Sequence, residues 1–320
     1  MFALDNNIKK PFVLAVVGPT ASGKTAMGIR LAKELDGEII SADSMQIYKG
    51  MDIATAKPTA DEMQGIPHHL IDFLARNEAF SVADYVSLAN EKITDIISRG
   101  KLPIIVGGTG LYISSLLDNI KFSESRNDES YRKELTEYAQ KYGNEALHAR
   151  LAEIDKEGAE EIHPNNVVRV IRALEICRFT GKKFSEVKLE GRQTEPKYDS
   201  IILGLTYSDR QMLYDRINKR VDIMVENGLV EESRKVWSES GLKTASNAIG
   251  YKELIPYFEN KACLEECIDK IKQETRHYAK RQLTWFRRNE QIWWILLDEI
   301  DKTEKILEKC KKYIANREKM

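Results

Sequence analysis

The chain has 320 residues, long enough for one large domain or two smaller ones whose core needs no disulfide or metal staple. Its 42% hydrophobic and 31% charged residues, with a formal net charge of −1, are the composition of an ordinary soluble enzyme. No run of about 18 apolar residues occurs, which excludes a membrane-spanning helix. Residues 1–11 carry no apolar stretch of signal-peptide length, so a cytoplasmic location is expected. Cys177, Cys263, Cys267 and Cys310 are scattered without a second pair or histidines at ligand spacing. They read as reduced packing residues, and no metal site built purely of protein is expected.

In chain order, the apolar run 12–17 predicts a buried strand. Directly after it, Gly18-Pro19-Thr20-Ala21-Ser22-Gly23-Lys24-Thr25 has the spacing of a complete phosphate-binding loop. Successive amide N–H groups of such a loop point into one concavity at a helix N-terminus, Lys24 adds a mobile charge, and Thr25 can ligate Mg²⁺. The loop suits a diphosphate whatever hangs from it. A helix over 24–35 follows, then a strand over 38–41 that delivers Asp43 at its carboxyl end, the edge where open α/β sheets bind ligands. Asp43 there faces the ligand, or serves as a helix cap or Mg²⁺ ligand. His68-His69, beside a strand over 69–71, read as structural.

A helix over 81–99 and a strand over 103–106 lead to Gly107-Gly108-Thr109-Gly110. Glycine stands where many phosphate-loop nucleotidases carry an Asp that holds Mg²⁺ through water, and Thr109 offers a hydroxyl. From about 121 to 198 helical patterning replaces the strand signals, at 131–142, 145–154 and 166–180, the last closed by Gly181. A strand over 200–205 resumes the earlier pattern, and Ser208-Asp209 can cap the helix that follows. On that helix Arg216 and Arg220 share a face at i, i+4 spacing, suited either to diphosphate oxygens or to acids such as Asp215 and Glu226.

Arg276, Lys280, Arg281, Arg287 and Arg288 then form a run without an acid, with Arg276, Lys280 and Arg287 on one narrow helical face. A strand over 292–296 and a charged surface helix over 302–320 complete the reading. The fold class expected is α/β, a parallel sheet flanked by helices like that of P-loop-containing nucleoside-triphosphate hydrolases. Residues 1–120 form the first part of the core, 121–199 a helical insertion, and 200–320 the return to the core with C-terminal helices.

Six blocks then stand out. They are Asp43-Ser44-Met45-Gln46-Ile47-Tyr48-Lys49-Gly50-Met51-Asp52, Thr55-Ala56-Lys57-Pro58, Gly107-Gly108-Thr109-Gly110-Leu111-Tyr112, His163-Pro164-Asn165 with Arg169 and Arg172-Ala173-Leu174-Glu175, Ile249-Gly250-Tyr251-Lys252-Glu253, and Lys280-Arg281-Gln282-Leu283-Thr284-Trp285-Phe286-Arg287. In this order they resemble the signature blocks of the bacterial tRNA dimethylallyltransferases, the tRNA isopentenyltransferase family, across nearly the whole chain.

The resemblance implies transfer of a dimethylallyl group from dimethylallyl diphosphate to N6 of adenosine 37, in tRNAs reading codons that begin with U. Mg²⁺ is the implied cofactor, with Thr25, diphosphate oxygens and water as its ligands. It further implies that Asp43 accepts the amine proton, that Thr109 positions the amine, and that Arg220 clamps the diphosphate beside the 18–25 loop. Ser44, Met45 and Gln46 are placed to read the nucleotide. The insertion's Arg132, Arg169 and Arg172 would be a second jaw on the anticodon stem, and Arg276, Lys280, Arg281 and Arg287 would contact tRNA phosphates. The partners expected are tRNA and dimethylallyl diphosphate, with no membrane and a monomeric chain.

A small-molecule or nucleoside kinase explains the core but leaves the basic run unused. A nucleotide-dependent RNA-binding switch gives Asp43 and Thr109 no task.

Overall fold

A computed structural model describes residues 10–122, 128–239, 242, 245–299 and 303–318. Two compact units result: Met1–Leu117 with Lys197–Met320, and Asp118–Pro196. The reading of 1–11 falls mostly on residues outside this description, as do positions 302, 319 and 320 of the last helix.

The first unit opens with β1 (Phe12–Val17), α1 (Lys24–Glu34), β2 (Gly37–Ala42), α2 (Ala60–Met63), β3 (His68–His69), α3 (Val82–Ser98), β4 (Leu102–Gly107) and α4 (Gly110–Leu117). The second unit contains α5 (Glu129–Tyr142), α6 (Asn144–Ile154), α7 (Lys156–Glu160), α8 (Val167–Thr180) and α9 (Phe184–Arg192). The chain then returns with β5 (Asp199–Thr206), α10 (Arg210–Glu226), α11 (Leu229–Ser238), α12 (Ile255–Phe258), α13 (Leu264–Phe286), β6 (Ile292–Leu296) and α14 (Thr303–Glu318).

The sheet has the order β3-β2-β4-β1-β5-β6, with each described pairing parallel. Helices cover both of its faces, as fully apolar strands require. On one face Val13, Ala15, Ile40 and Ile105 pack with Tyr85, Ala89, Ile93 and Ile96 of α3. On the other, Leu14, Val16, Ile39 and Ile104 pack with Met27 and Leu31 of α1.

That second face also receives Ile306, Cys310 and Ile314 of α14. The last helix is therefore more than a charged surface helix. Its lysines face water, while one residue per turn enters the core. The third strand is shorter than the run 69–71, because Leu70 adopts φ 58° and turns the chain out of the sheet. Asp209 caps α10 by accepting from Gln211 N at 2.8 Å, whereas Ser208 Oγ and N bond the Asp298 carboxylate. Cys177, Cys267 and Cys310 are buried, but Cys263 is exposed.

Register decides where the functional loops emerge. Val17 of β1 and Ala42 of β2 both pair with Gly107 of the intervening β4, so three strands end at one level. A Cβ on Gly107 would lie 2.2 Å from the Ala42 carbonyl oxygen, so only glycine permits this close approach.

In the second unit, Leu135, Leu147, Leu151, Val170 and Leu174 form the core. Gly181, at φ 68°, closes α8 in the left-handed conformation that favours glycine. The sequence pattern missed α9, which follows within a few residues of that glycine.

Candidate active site

The loops after β1, β2 and β4 line one cavity of about 1010 Å³, which also receives residues of α10 and α13. Its floor is the loop expected to bind phosphate, Gly18 to Thr25, leading into α1. Ser22 N donates to Pro19 O at 3.3 Å, and Lys24 Nζ reaches the same carbonyl at 3.2 Å. Ser22 Oγ is buried and finds no hydrogen-bond partner among the described residues. Burial, followed by the neighbouring Arg220 cation, lowers the Lys24 pKa to about 8, although Asp43 pulls the other way.

Arg216 and Arg220 both face this floor. Arg220 Nη1 donates to Thr20 Oγ1 at 3.3 Å, and Arg216 Nε donates to Ala21 O at 3.1 Å. They are not a surface pair held by Asp215 or Glu226, and Asp215 instead accepts from Gln211 Nε2. Burial lowers the Arg220 pKa, with Asp43 and Glu62 opposing. Three cations thus converge where few carboxylates balance them, which is a demand for an anion. On the same helix Ile217, Val221 and Met224 bring an apolar wall to the cavity.

Asp43 lines the same cavity, half-buried, and its charge is felt at both Lys24 and Arg220. Its Oδ1 accepts from Met45 N at 2.9 Å and Gln46 N at 3.3 Å, which fixes the carboxylate and leaves Oδ2 without a described hydrogen-bond donor. Thr109 N donates to Ala42 O at 3.1 Å, and Thr109 Oγ1 accepts from Ser44 N at 3.0 Å. The β2 and β4 loops are thereby locked together.

Gln46, expected to read the nucleotide, makes hydrogen bonds within the protein. Its Nε2 donates to Thr55 O at 3.0 Å and Ala56 O at 3.1 Å, while Oε1 accepts from Ser41 Oγ at 3.5 Å. With donors and acceptor engaged, Gln46 shapes the cavity wall. Ser44 is likewise tied to Thr109, and Met45 packs partly buried against Ile47 and Tyr48.

Three residues to which the sequence reading gave no role complete the site. Gln282 on α13 is buried; its Oε1 accepts from Thr20 N at 2.8 Å and its Nε2 donates to Gly108 O at 3.0 Å, joining the phosphate loop to the β4 loop. A glutamine in register with buried Ile271, Ala279 and Phe286 was the available signal. One turn earlier, the half-buried Tyr278 also lines the cavity, and burial of its hydroxyl followed by the nearby Asp43 charge raises its pKa. Glu232 accepts from Asp52 N, Ile53 N and Ala54 N at 2.8–3.0 Å and from the Tyr251 hydroxyl at 2.8 Å, anchoring another wall.

In the helical unit, buried Glu175 receives both forks of Arg132, at 3.0 and 2.9 Å, and Arg172 Nη1 at 3.5 Å. Both arginines expected to meet tRNA thus have an internal carboxylate partner, yet keep 46% and 41% of their side-chain surface exposed. Arg169 is exposed. On α13, Arg276 Nη1 donates to Asn218 Oδ1 at 2.6 Å, whereas Lys280, Arg281 and Arg287 are exposed.

For Mg²⁺, the donor set fits the way this ion binds, through one or two protein oxygens plus substrate phosphate oxygens. The Thr25 hydroxyl and the Asp43 carboxylate are oxygen donors in the cavity. No cluster of three or more His, Cys, Asp or Glu ligands occurs among the described residues.

The family model described as IPP transferase matches residues 46–289. The chain belongs to the IPP transferase family. An Acetivibrio thermocellus tRNA dimethylallyltransferase is 51% identical over 305 residues, covering 95% of this chain and 97% of that one. The Bacillus subtilis tRNA dimethylallyltransferase is 52% identical over 290 residues, covering 90% and 91%.

Among solved structures, the full-length tRNA isopentenylpyrophosphate transferase of Bacillus halodurans superposes with a TM-score of 0.72 at 47% identity, covering 96% of each chain. A eukaryotic dimethylallyltransferase captured acting on tRNA superposes with a TM-score of 0.82 at 30% identity, covering 96% of this IPP transferase and 80% of that chain.

Proposed function

We propose that this IPP transferase moves the dimethylallyl group of dimethylallyl diphosphate to N6 of adenosine 37, in tRNAs reading codons that begin with U. The supporting observation is one cavity that joins a diphosphate cradle, an apolar helix face and a carboxylate with one oxygen that no described residue bonds. The cradle is the 18–25 loop with Arg220; the apolar face is Ile217, Val221 and Met224. A five-carbon chain suits that apolar wall, which gives the prenyl donor an advantage over the γ-phosphoryl donor of a kinase.

An exocyclic adenine amine is a weak nucleophile, because its lone pair is delocalised into the ring. As N6 bonds C1 of the donor, the C1–O bond breaks and its electron pair leaves with the diphosphate. Asp43 Oδ2 accepts the N6 proton, a task worth on the order of 10²–10⁴-fold in rate. Thr109, held against the β2 loop, positions the amine. Arg220, Lys24 and the loop amides meet the charge that gathers on the leaving group. Mg²⁺, bound through Thr25, would add further charge stabilisation on the diphosphate.

The target base must leave its stack to enter so enclosed a site. Exposed Arg169, Lys280, Arg281 and Arg287, with the open faces of Arg132, Arg172 and Arg276, supply the cations for tRNA phosphates. No described helix is long and apolar enough to cross a membrane. The cytoplasm, where tRNA is met, is the compartment this reading requires.

Incubating tRNA and Mg²⁺ with radiolabelled dimethylallyl diphosphate, or separately with γ-labelled ATP, tests the proposal. Label from the prenyl donor alone is the expected result; label from ATP would establish the kinase alternative.

A further inference from the structure

Beside the large cavity, His277, Lys280, Arg281, Thr284, Trp285 and Arg288 of α13 and its C-terminal turn line a second, more open hollow of about 460 Å³. Arg281 belongs to the walls of both. The hollow's largest ring is Trp285, a residue the proposed chemistry leaves unused and which keeps 38% of its surface exposed.

An exposed tryptophan would ordinarily sample several rotamers, but this one is held. Its indole Nε1 donates to Ser114 Oγ of α4 at 3.2 Å. The ring also lies so near Gly110 that a Cβ there would fall 2.2 Å from indole Cδ1. Glycine at position 110 thus lets the indole seat directly on backbone, and the hydrogen bond sets its rotation. Around the ring, Lys280, Arg281 and Arg288 form no ion pair with a described residue, while His277 lies 3.6 Å from Glu274.

A fixed aromatic plane among unneutralised cations has the chemistry of a single-stranded nucleic acid site. The ring stacks a base, and the cations meet the phosphates on either side. Because the shared Arg281 makes the two hollows neighbours, a nucleotide on the indole would be adjacent to the one entering the cavity.

We propose that Trp285 is a stacking platform for the unpaired nucleobase that flanks the extruded adenosine, with Lys280, Arg281 and Arg288 on its phosphates. The proposal rests on the tRNA-modifying reading above. It assigns α13 a base contact in addition to phosphate contacts, and it explains why a large aromatic stands in a polar surface run. Stacking of this kind is tolerant of base identity, so the platform holds the loop open without dictating the flanking sequence.

The test is a double-perturbation cycle with the full chain and an anticodon stem-loop RNA. Each nucleotide flanking the target adenosine is replaced in turn by an abasic one, and dissociation constants are measured for wild type, W285F, W285A and W285L. For one of the two flanking positions, loss of the base should weaken wild-type binding about tenfold. The same loss should be nearly without effect in W285A and W285L, and intermediate in W285F, which keeps a smaller ring.

Equal abasic penalties in wild type and in both ring-free variants would overturn the proposal. So would wild-type and W285A affinities that agree for the unmodified stem-loop. Dimethylallyl transfer to that stem-loop by the wild-type enzyme is the control for the underlying reading. Its absence counts against the proposed function, whereas transfer accompanied by additive penalties removes the Trp285 platform alone.

Discussion

Glu38, near the start of β2, and Asp43, one residue beyond its end, are carboxylates carried by one strand into different surroundings. Glu38 is buried and saturated: Arg99 meets both of its oxygens, and His69 Nε2 lies 2.8 Å from Oε2. The Arg99 guanidinium, and then His69, hold its pKa down to about 2 against the cost of burial. Among the described residues Asp43 has hydrogen-bond donors on Oδ1 only, and it lines a cavity together with Lys24 and Arg220. One strand therefore anchors the sheet at its amino end with a fully matched charge, and presents a reactive one at its carboxyl end. Completeness of hydrogen bonding distinguishes a structural carboxylate from a working one.

Exchanging the roles is the sharpest way to break that comparison. Asp43→Ala should lower kcat by on the order of 10²–10⁴-fold while leaving the melting temperature near wild type. A stopped catalyst that is also unfolded would erase the distinction. Arg220→Ala should cost about 10²–10³-fold in kcat/KM for the prenyl donor, with the RNA dissociation constant unchanged, as steady-state kinetics and direct binding will show.

Glu38→Gln should do the reverse. Turnover per folded molecule stays intact, and urea unfolding reports a loss on the order of 2 kcal/mol, the scale of hydrogen bonds to a charged group. Because the folded pKa of Glu38 lies below its unfolded value, its stabilisation is complete above the ordinary carboxylate range and fades as pH falls toward about 2. Wild type and E38Q should therefore converge in stability through acid titration.

A smaller effect concerns Lys24. Its lowered pKa means that the free enzyme loses this cation as pH rises through about 8, so kcat/KM for the anionic donor should fall about tenfold per pH unit above that point. Smallest of all, Tyr278→Phe removes one neutral hydroxyl from the cavity wall, and should lower kcat by roughly fivefold with little change in either KM.

The parts of this site that lie close to a strand end were legible in the sequence, because a short apolar run followed by Gly, Asp or Thr carries its own signal. The 18–25 loop, Asp43 and Thr109 all have that form, and the order β2-β4-β1 brings them together. Gln282 and Tyr278 arrive from a helix distant along the chain, with Gln282 and Gly108 separated by 174 positions, so no local pattern could announce their contacts. Gln282 stood in the 280–287 block without a role of its own, and Tyr278 left only the trace of polarity inside a helical stripe.

The basic residues Arg132 and Arg172 show the opposite limit. Charge was visible, but the buried partner Glu175 was not, since a glutamate within a helical run looks solvent-facing until its neighbours are known. For α14 the abundance of lysine masked Ile306, Cys310 and Ile314, whose four-residue spacing marks a core-facing stripe.

The central claim is that one cavity couples the release of diphosphate from a prenyl donor to alkylation of an adenosine amine. Mass spectrometry of nucleosides from unmodified tRNA, incubated with the enzyme, Mg²⁺ and dimethylallyl diphosphate, tests it most directly. The account predicts one adenosine per reactive tRNA gaining a single dimethylallyl group at N6, with the product absent from a parallel D43A reaction. Unchanged nucleosides in the wild-type reaction, or equal product from wild type and D43A, would contradict it.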